Sequence, residues 1–158
     1  MKQLWAPWRM AYIRTFKKNG CVFCQALEHT SDGEENQIVF RGKNSFVILN
    51  RFPYTSGHLM VLPFQHAPRL EDLTPETRAE MIELVTKSNQ VLQQIYDPQG
   101  YNIGINMGQA AGAGIEEHIH IHIVPRWSGD TNFISAIGKT RVIPESITET
   151  YRRLKAAW

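Results

Sequence analysis

The chain has 158 residues, of which 42% are hydrophobic and 20% charged, which predicts one compact domain with its own core. Seventeen Lys and Arg against 15 Asp and Glu leave a formal charge of +2, too balanced for a broad basic face, so nucleic acid is not expected as a partner. The apolar runs are far shorter than the roughly 20 residues that span a bilayer, and the first nine residues do not resemble a signal peptide. We therefore expect no membrane association and a cytoplasmic location.

The first half of the chain predicts three strands and a long helix. Short apolar runs between turn-forming residues predict strands at residues 38–40, 46–49 and 59–62, which pair antiparallel because they are closely spaced. Apolar residues at helical spacing then predict one long helix over residues 74–95, with Thr74 as its N-cap and Pro75 in its first turn.

The second half predicts two more strands and a last helix. The strands cover residues 101–107 and 118–124, with a loop of small residues, 108–114, between them. A helix from about Pro144 places Ile147, Tyr151, Leu154 and Trp158 on one face. Runs of strands with inserted helices favour an α+β fold with a mainly antiparallel sheet, one long helix and a C-terminal helix.

The segment from His118 to Val124 alternates histidine with isoleucine and is the most informative stretch of the chain. A period of two places His118, His120 and His122 on one sheet face and the isoleucines in the core. Successive imidazoles would lie roughly 7 Å apart, close enough to surround one substrate group in different roles. An exposed polar face that happens to use histidine is the alternative, but it places three of the six histidines there by accident.

Two chemistries fit such a strand. A histidine can act as a nucleophile and form a covalent intermediate when its other ring nitrogen is held by a hydrogen bond. Alternatively, three histidines can hold a catalytic zinc ion with an open position for hydroxide. The spacing alone does not choose between them.

The motif resembles the His-φ-His-φ-His-φ-φ signature of the histidine triad (HIT) family of nucleotide hydrolases and transferases. Residues 111–114, 124–133, 4–9 and 49–61 look like the branch of bacterial diadenosine tetraphosphate phosphorylases. The resemblance covers nearly the whole chain. It implies a single HIT domain over residues 1–158, made of an N-terminal arm (1–37), a catalytic core (38–125) and a C-terminal extension with a helix (126–158).

The resemblance implies nucleotidyl transfer on dinucleoside polyphosphates of the diadenosine tetraphosphate type. His120 would attack the α-phosphorus and form a covalent nucleotidyl-histidine, and His122 would donate a hydrogen bond to the phosphoryl oxygens. Water as the second acceptor makes the enzyme a hydrolase, and phosphate makes it a phosphorylase. His118 completes the triad, and His58 would support it from behind.

The resemblance also assigns nucleotide contacts. Asn50 would hold the ribose hydroxyls, although a turn-forming Asn at a strand end is the alternative. The loop before the histidines has little side-chain bulk, so its backbone N–H groups could approach phosphates. The candidates in this loop are Asn106, Gln109, Gly112, Ala113 and Gly114. Many HIT hydrolases carry Gln followed by Ser or Thr before the first histidine, whereas this chain has Gly114 and Ile115, which leaves Gln109 and Asn106 as candidates for the bridging oxygen.

Four further residues have two interpretations each. Arg126 could meet the outer phosphates and Trp127 could stack on a base, or they could be a rim arginine and a packed tryptophan. Trp5 and Trp8 suit an arm that packs on a partner subunit or closes over the site, or they could cover the core.

Cys21 and Cys24 have the spacing of a zinc knuckle, which needs two further ligands. Zinc-bearing relatives of this superfamily, including galactose-1-phosphate uridylyltransferase, imply that His66 and His118 are those ligands. Such a closed site would be structural. A redox Cys-x-x-Cys is the alternative, without the strand and helix context of thioredoxins. No carboxylate cluster suggests a magnesium site, although magnesium could arrive with the substrate.

Other functions stay open at this point. A phosphoramidase of the Hint type would act on adenosine phosphoramidates through the same triad, and a nucleotide-binding module would bind without turnover. The resemblance also implies a homodimer, for which the sequence itself shows no coiled-coil seam.

Overall fold

The computed structural model describes residues 20–131, 137 and 143–158. Five strands form one antiparallel sheet in the order β1-β2-β3-β5-β4, with these bounds: β1 Ile38–Arg41, β2 Ser45–Leu49, β3 Leu59–Pro63, β4 Gly100–Ile105 and β5 Ile121–Arg126. The α-helices are α1 Val22–Glu28, α2 Pro75–Tyr96 and α3 Ile147–Ala157, and short 3-10 helices lie at Leu70–Asp72 and Gln109–Ala111. The predicted α+β class is confirmed. The predictions for Trp5, Trp8 and residues 132–133 lie outside the described residues.

The long helix forms where its sequence signals place it. The Thr74 hydroxyl accepts a hydrogen bond from the Thr77 N–H at 3.2 Å, and Pro75 occupies the first turn, where no backbone donor is needed. The helix ends at Asp97, which has a left-handed backbone with φ 44°. α1 was not predicted, because seven residues give too short a periodic pattern.

The sheet has two differently covered faces. α2 and α3 pack on the first face, over a core that includes Val47, Leu59 and Ile123. α1 covers part of the second face, over a smaller cluster that includes Phe23, Phe46 and Leu62. We call this smaller group the α1 cluster. The rest of the second face, where β3 meets β5, carries the histidines.

The histidine strand has other bounds than predicted, because β5 runs from Ile121 to Arg126 rather than from His118 to Val124. The Ile119 N–H donates to the Ala67 carbonyl at 2.7 Å, so the chain before Ile121 pairs with the loop after β3 and not with a strand. Ile119, Ile121 and Ile123 enter the core as predicted. Among the described residues, no helix has the length and apolarity to cross a membrane.

Candidate active site and metal cluster

His58 and His122 form a hydrogen-bonded pair whose proton positions follow from the backbone. His58 immediately precedes β3, and His122 lies opposite Met60 in the β3–β5 ladder, which brings His58 Nε2 within 3.0 Å of His122 Nδ1. The Tyr54 N–H points at His58 Nδ1 at 3.1 Å, and since an amide can only donate, that nitrogen is unprotonated. His58 Nε2 therefore carries the proton and donates a hydrogen bond to His122 Nδ1. His122 is left with its own proton on Nε2.

His120 is protonated on Nδ1, the nitrogen that is unprotonated in His58. Its Nδ1 lies 2.8 Å from the His118 carbonyl, which can only accept, so Nδ1 carries the proton and Nε2 keeps a lone pair. The His120 and His122 rings meet edge to face with centroids 4.7 Å apart, closer than the predicted 7 Å because the rings converge. The ring whose Nε2 keeps a lone pair therefore adjoins the ring whose Nε2 carries a proton.

The imidazoles of His58, His120 and His122 are neutral at pH 7. Burial, together with the neighbouring His122 and His120, lowers the pKa of His58 to about 3. Burial and His120 lower the pKa of His122 to about 4. Burial also lowers the pKa of His120, against the hydrogen bond to the His118 carbonyl, which raises it. A neutral imidazole is the form that can attack phosphorus.

The four predicted metal ligands converge at the start of α1. His118 Nδ1 lies 3.4 Å from Cys21 Sγ and 3.7 Å from Cys24 Sγ, and His66 Nδ1 lies 3.3 Å from Cys24 Sγ. The four ligand atoms all lie within 4.8 Å of one another. A tetrahedral zinc ion with ordinary bond lengths separates a sulfur from a nitrogen ligand by about 3.6 Å, so the cluster fits zinc.

The surroundings of the cluster determine where two of its candidate ligands, His118 and Cys24, carry protons. The His118 Nε2–H donates to the Pro63 carbonyl at 2.9 Å, which directs the Nδ1 lone pair at the two sulfurs. Burial and the neighbouring Cys21 raise the pKa of the Cys24 thiol to about 11. The thiol is therefore protonated until a metal displaces the proton.

Asn50 is brought to the triad. Its Nδ2 lies 3.4 Å from His58 Nδ1, and its Oδ1 accepts the Phe52 N–H at 2.8 Å. The Asn50 side chain thus stabilises a turn, as in its alternative interpretation, and it does so next to His58. Its contact with ribose stays a prediction.

The small-residue loop closes on itself. Gly108 and Gly112 have φ values of 79° and 85°, which glycine adopts without strain. The N–H groups of Gly112 and Ala113 donate to the Gln109 and Gly108 carbonyls, at 2.9 and 3.3 Å, and are not directed at the histidines. Gln109 and Gly114 are exposed, and Asn106 is half-buried one residue beyond β4.

Arg126 and Trp127 are not brought into contact with the histidines. Arg126 binds both carboxylate oxygens of Asp130, at 2.5 and 2.8 Å, and holds the pKa of that carboxyl far below its usual range. It also donates to Asn102. The Trp127 indole N–H donates to the Tyr96 carbonyl at 3.3 Å, at the end of α2. Both side chains are thus engaged within the protein, and their nucleotide contacts stay predictions.

Sequence reasoning missed three residues beside the triad. The half-exposed Tyr54 ring lies 4.6 Å from the His58 ring and 6.0 Å from the His122 ring. Gly104 lies opposite His122 in the β4–β5 ladder, and no atom of the described residues is within 4 Å of where its Cβ would be. Phe23 packs on His120 and His118. Only Phe23 had a signal, its place between the two cysteines.

The comparisons with known proteins agree with this site. A family model described as the HIT domain matches residues 32–129. Over its full length the chain is 39% identical to a Mycobacterium tuberculosis protein named AP-4-A phosphorylase, of which it covers 85%. It is 37% identical to the asymmetrical bis(5'-nucleosyl)-tetraphosphatase of Schizosaccharomyces pombe, over 60% of this chain and 52% of that one.

A solved structure adds to this similarity. A zinc-bound histidine triad family protein from Mycobacterium smegmatis has a TM-score of 0.70 and 33% identity, over 87% of this chain and 92% of that chain. Fold, triad and family model point to the same relatives. The chain belongs to the HIT domain family.

Proposed function

We propose that this chain is an enzyme that transfers nucleotidyl groups from dinucleoside polyphosphates of the diadenosine tetraphosphate type, through a covalent intermediate on His120. The observation that carries the proposal is that the His120 and His122 rings adjoin, with centroids 4.7 Å apart, while their hydrogen-bond partners leave a lone pair on His120 Nε2 and an N–H on His122 Nε2. A nucleophile next to a fixed donor suits attack on a phosphorus whose oxygens gain charge. The names of the two curated relatives support the same substrate class.

The reaction follows from these proton positions. His120 Nε2 forms a bond to the α-phosphorus, and the bond from that phosphorus to the bridging oxygen breaks. The departing nucleoside polyphosphate is stable as an anion, so a hydrogen bond from His122 suffices and no full proton transfer is needed. The His120 ring gains positive charge, and the His118 carbonyl that accepts its Nδ1–H stabilises that charge. An acceptor then attacks the phosphorus and releases His120.

We propose phosphate as that acceptor, which makes the enzyme a phosphorylase. The similarity to a protein named AP-4-A phosphorylase supports phosphate over water. The test is the product set from diadenosine tetraphosphate with and without inorganic phosphate. ADP plus ATP formed only with phosphate supports a phosphorylase, whereas AMP plus ATP regardless of phosphate makes the enzyme a hydrolase.

The covalent step is tested at His120. We expect His120→Ala to fold and bind nucleotide, but to lose at least about a thousand-fold in kcat and to form no labelled adduct. His29→Asn, at an exposed histidine outside the site, is the control. Normal turnover by His120→Ala contradicts the proposal. Faster cleavage of an adenosine phosphoramidate than of diadenosine tetraphosphate indicates a Hint-like enzyme, and tight binding without product indicates a binding module.

We further propose that Cys21, Cys24, His66 and His118 hold a structural zinc ion. All four side chains are used as ligands, which leaves no position for a substrate and separates the metal from the reacting atoms. We expect about one zinc per chain by elemental analysis and a Tm that falls on chelation. Cys24→Ser should abolish both effects. A protein purified without metal, with a Tm insensitive to chelators, contradicts the assignment. Magnesium stays an expectation for the substrate.

The remaining proposals concern assembly and organisation. We propose a homodimer, because among the described strands β4 is paired on one side only and carries the half-exposed Ile103. Light scattering after gel filtration tests it, and a monomer at micromolar concentration contradicts it. The division at residues 37/38 and 125/126 and the cytoplasmic location are also kept as proposals.

A further inference from the structure

Phe23 connects the metal cluster to the reactive histidine. It lies between Cys21 and Cys24 at the start of α1 and is only 4% exposed. Its ring is 5.3 Å from the His120 ring, tilted by 55°, and 5.5 Å from the His118 ring, nearly perpendicular to it. One aromatic side chain therefore contacts both the first and the middle histidine of the triad.

The His120 ring needs such a contact. The hydrogen bond from Nδ1 to the His118 carbonyl fixes which nitrogen carries the proton, but a single bond lets the ring swing about it. Phe23 and His122 are the ring contacts that the described residues provide for His120, at 5.3 and 4.7 Å. Together they limit the directions in which Nε2 can point.

α1 cannot hold Phe23 in place by itself. Its seven residues are too few for a stable isolated helix, and Cys21 as N-cap makes no side-chain capping bond. Phe23 and Ala26 attach it to the sheet by packing into the α1 cluster, and Asn36 Nδ2 donates to the Ala26 carbonyl at 3.3 Å. Both cysteines also converge on His118. A metal bound to these sulfurs fixes the turn from which Phe23 projects.

We propose that Phe23 is a positioning residue for His120, held against the imidazole by the metal-bound cysteines on either side of it. The inference rests on the proposed function, since it assigns Phe23 the task of aiming the nucleophilic nitrogen at phosphorus. A misdirected nucleophile lowers the rate of the chemical step and leaves substrate binding intact, because Phe23 contacts the histidines from within the α1 cluster.

The test compares Phe23→Leu with a matched variant, Phe46→Leu. Phe46 is fully buried in the same α1 cluster, but its ring stacks on Phe64 at 5.6 Å. Both variants replace a buried ring by a smaller apolar side chain, so both should lower the Tm. We expect Phe23→Leu to lower kcat about ten- to a hundred-fold with KM changed less than about two-fold, and Phe46→Leu to keep kcat. Equal kcat values for the two variants overturn the inference.

A second measurement does not depend on turnover. Imidazole ¹⁵N–¹H spectra report which nitrogen of His120 is protonated and whether the ring has one environment. We expect one Nδ1–H form in the metal-loaded wild type and in Phe46→Leu, and averaged signals in Phe23→Leu and in chelated wild type. Unchanged His120 signals in Phe23→Leu overturn the inference. If the wild type fails to turn over diadenosine tetraphosphate, the proposed function fails, and these spectra still decide the role of Phe23.

Discussion

Backbone hydrogen-bond partners indicate which nitrogen of His58 and of His120 is protonated. The Tyr54 amide can only donate and the His118 carbonyl can only accept, so His58 and His120 are protonated on different nitrogens. His122 takes its state from His58. The pair at the site therefore combines one lone pair with one N–H while every ring is neutral.

A substitution at Gly104 tests whether the substrate occupies the space beside His122. Its Cβ would be on the same face as His122 and would meet no atom within 4 Å in the part of the chain that the structure describes. We expect Gly104→Val to raise KM for diadenosine tetraphosphate at least about ten-fold, because the side chain would fill that space. The Tm should be unchanged or higher, since valine favours a strand more than glycine does.

A second glycine of β4 serves as the control. No atom of residues 20–131, 137 or 143–158 lies within 4 Å of the Gly100 Cβ position either, but Gly100 lies opposite Arg126 at the other end of the strand. Gly100→Val should leave KM unchanged. Steady-state kinetics that are the same for both variants would show that the space beside Gly104 is not used by the substrate.

Among the elements, α2 is connected to the β1–β2 turn by one carboxylate. Glu80 accepts the N–H groups of Lys43 and Asn44, both at 2.6 Å. We expect Glu80→Ala to lower the free energy of unfolding by about 1–3 kcal/mol, because two charge-assisted hydrogen bonds are lost. Activity should be kept, since the turn lies at the end of the β2–β3 ladder opposite to His58.

Urea unfolding measures this effect. Glu83→Ala, at an exposed glutamate on the same helix, provides the comparison for a lost surface charge. The assignment is wrong if the two variants unfold at the same urea concentration.

Elements with strong local signals could be predicted from the sequence. The cap at Thr74 and the helical spacing behind it predicted α2, and alternation predicted that Ile119, Ile121 and Ile123 enter the core. The start of β5 was wrong by three residues, because the Ala67 carbonyl takes the Ile119 N–H. That partner is distant in the chain and leaves no local pattern.

The site was predictable to the extent that its motifs are local. The Cys-x-x-Cys pair and the resemblance predicted the residues that converge at His118. The bond from His58 to His122 and the contact of Phe23 with His120 depend on how β3, β5 and α1 pack. The residue types alone also do not show that Arg126 pairs with Asp130, or that Trp127 donates to the Tyr96 carbonyl.

For the whole molecule, neutral buried imidazoles make stability depend on pH. The pKa of His58 is about 3 and that of His122 about 4 in the folded protein, below the ordinary value of 6.5. At a pH between the folded and the unfolded pKa, the unfolded chain binds more protons than the folded protein does. The contribution of these histidines to stability is therefore fully present above pH 6.5 and is lost as the pH falls. Each such imidazole lowers the free energy of unfolding by about 2 kcal/mol when the pH falls from 7 to 5.

Urea unfolding at pH 7 and pH 5 checks this prediction. His58→Asn should lose less stability over this interval than the wild type, by at least about 1 kcal/mol. His29→Asn should behave as the wild type does, because His29 is exposed. The same pH dependence in wild type and His58→Asn would contradict the prediction.

The sheet consists of two units joined by a short seam. β1, β2 and β3 form one continuous meander, β4 and β5 form the other unit, and the ladder between them runs only from Leu59↔Ile123 to Val61↔Ile121. His58 belongs to the first unit and His122 to the second, so their hydrogen bond crosses the seam. Any excursion that parts the two units disconnects the pair, even while each unit keeps its own ladder. Under the proposed mechanism, partly opened molecules would be catalytically inactive, and turnover would report the population in which the seam is closed.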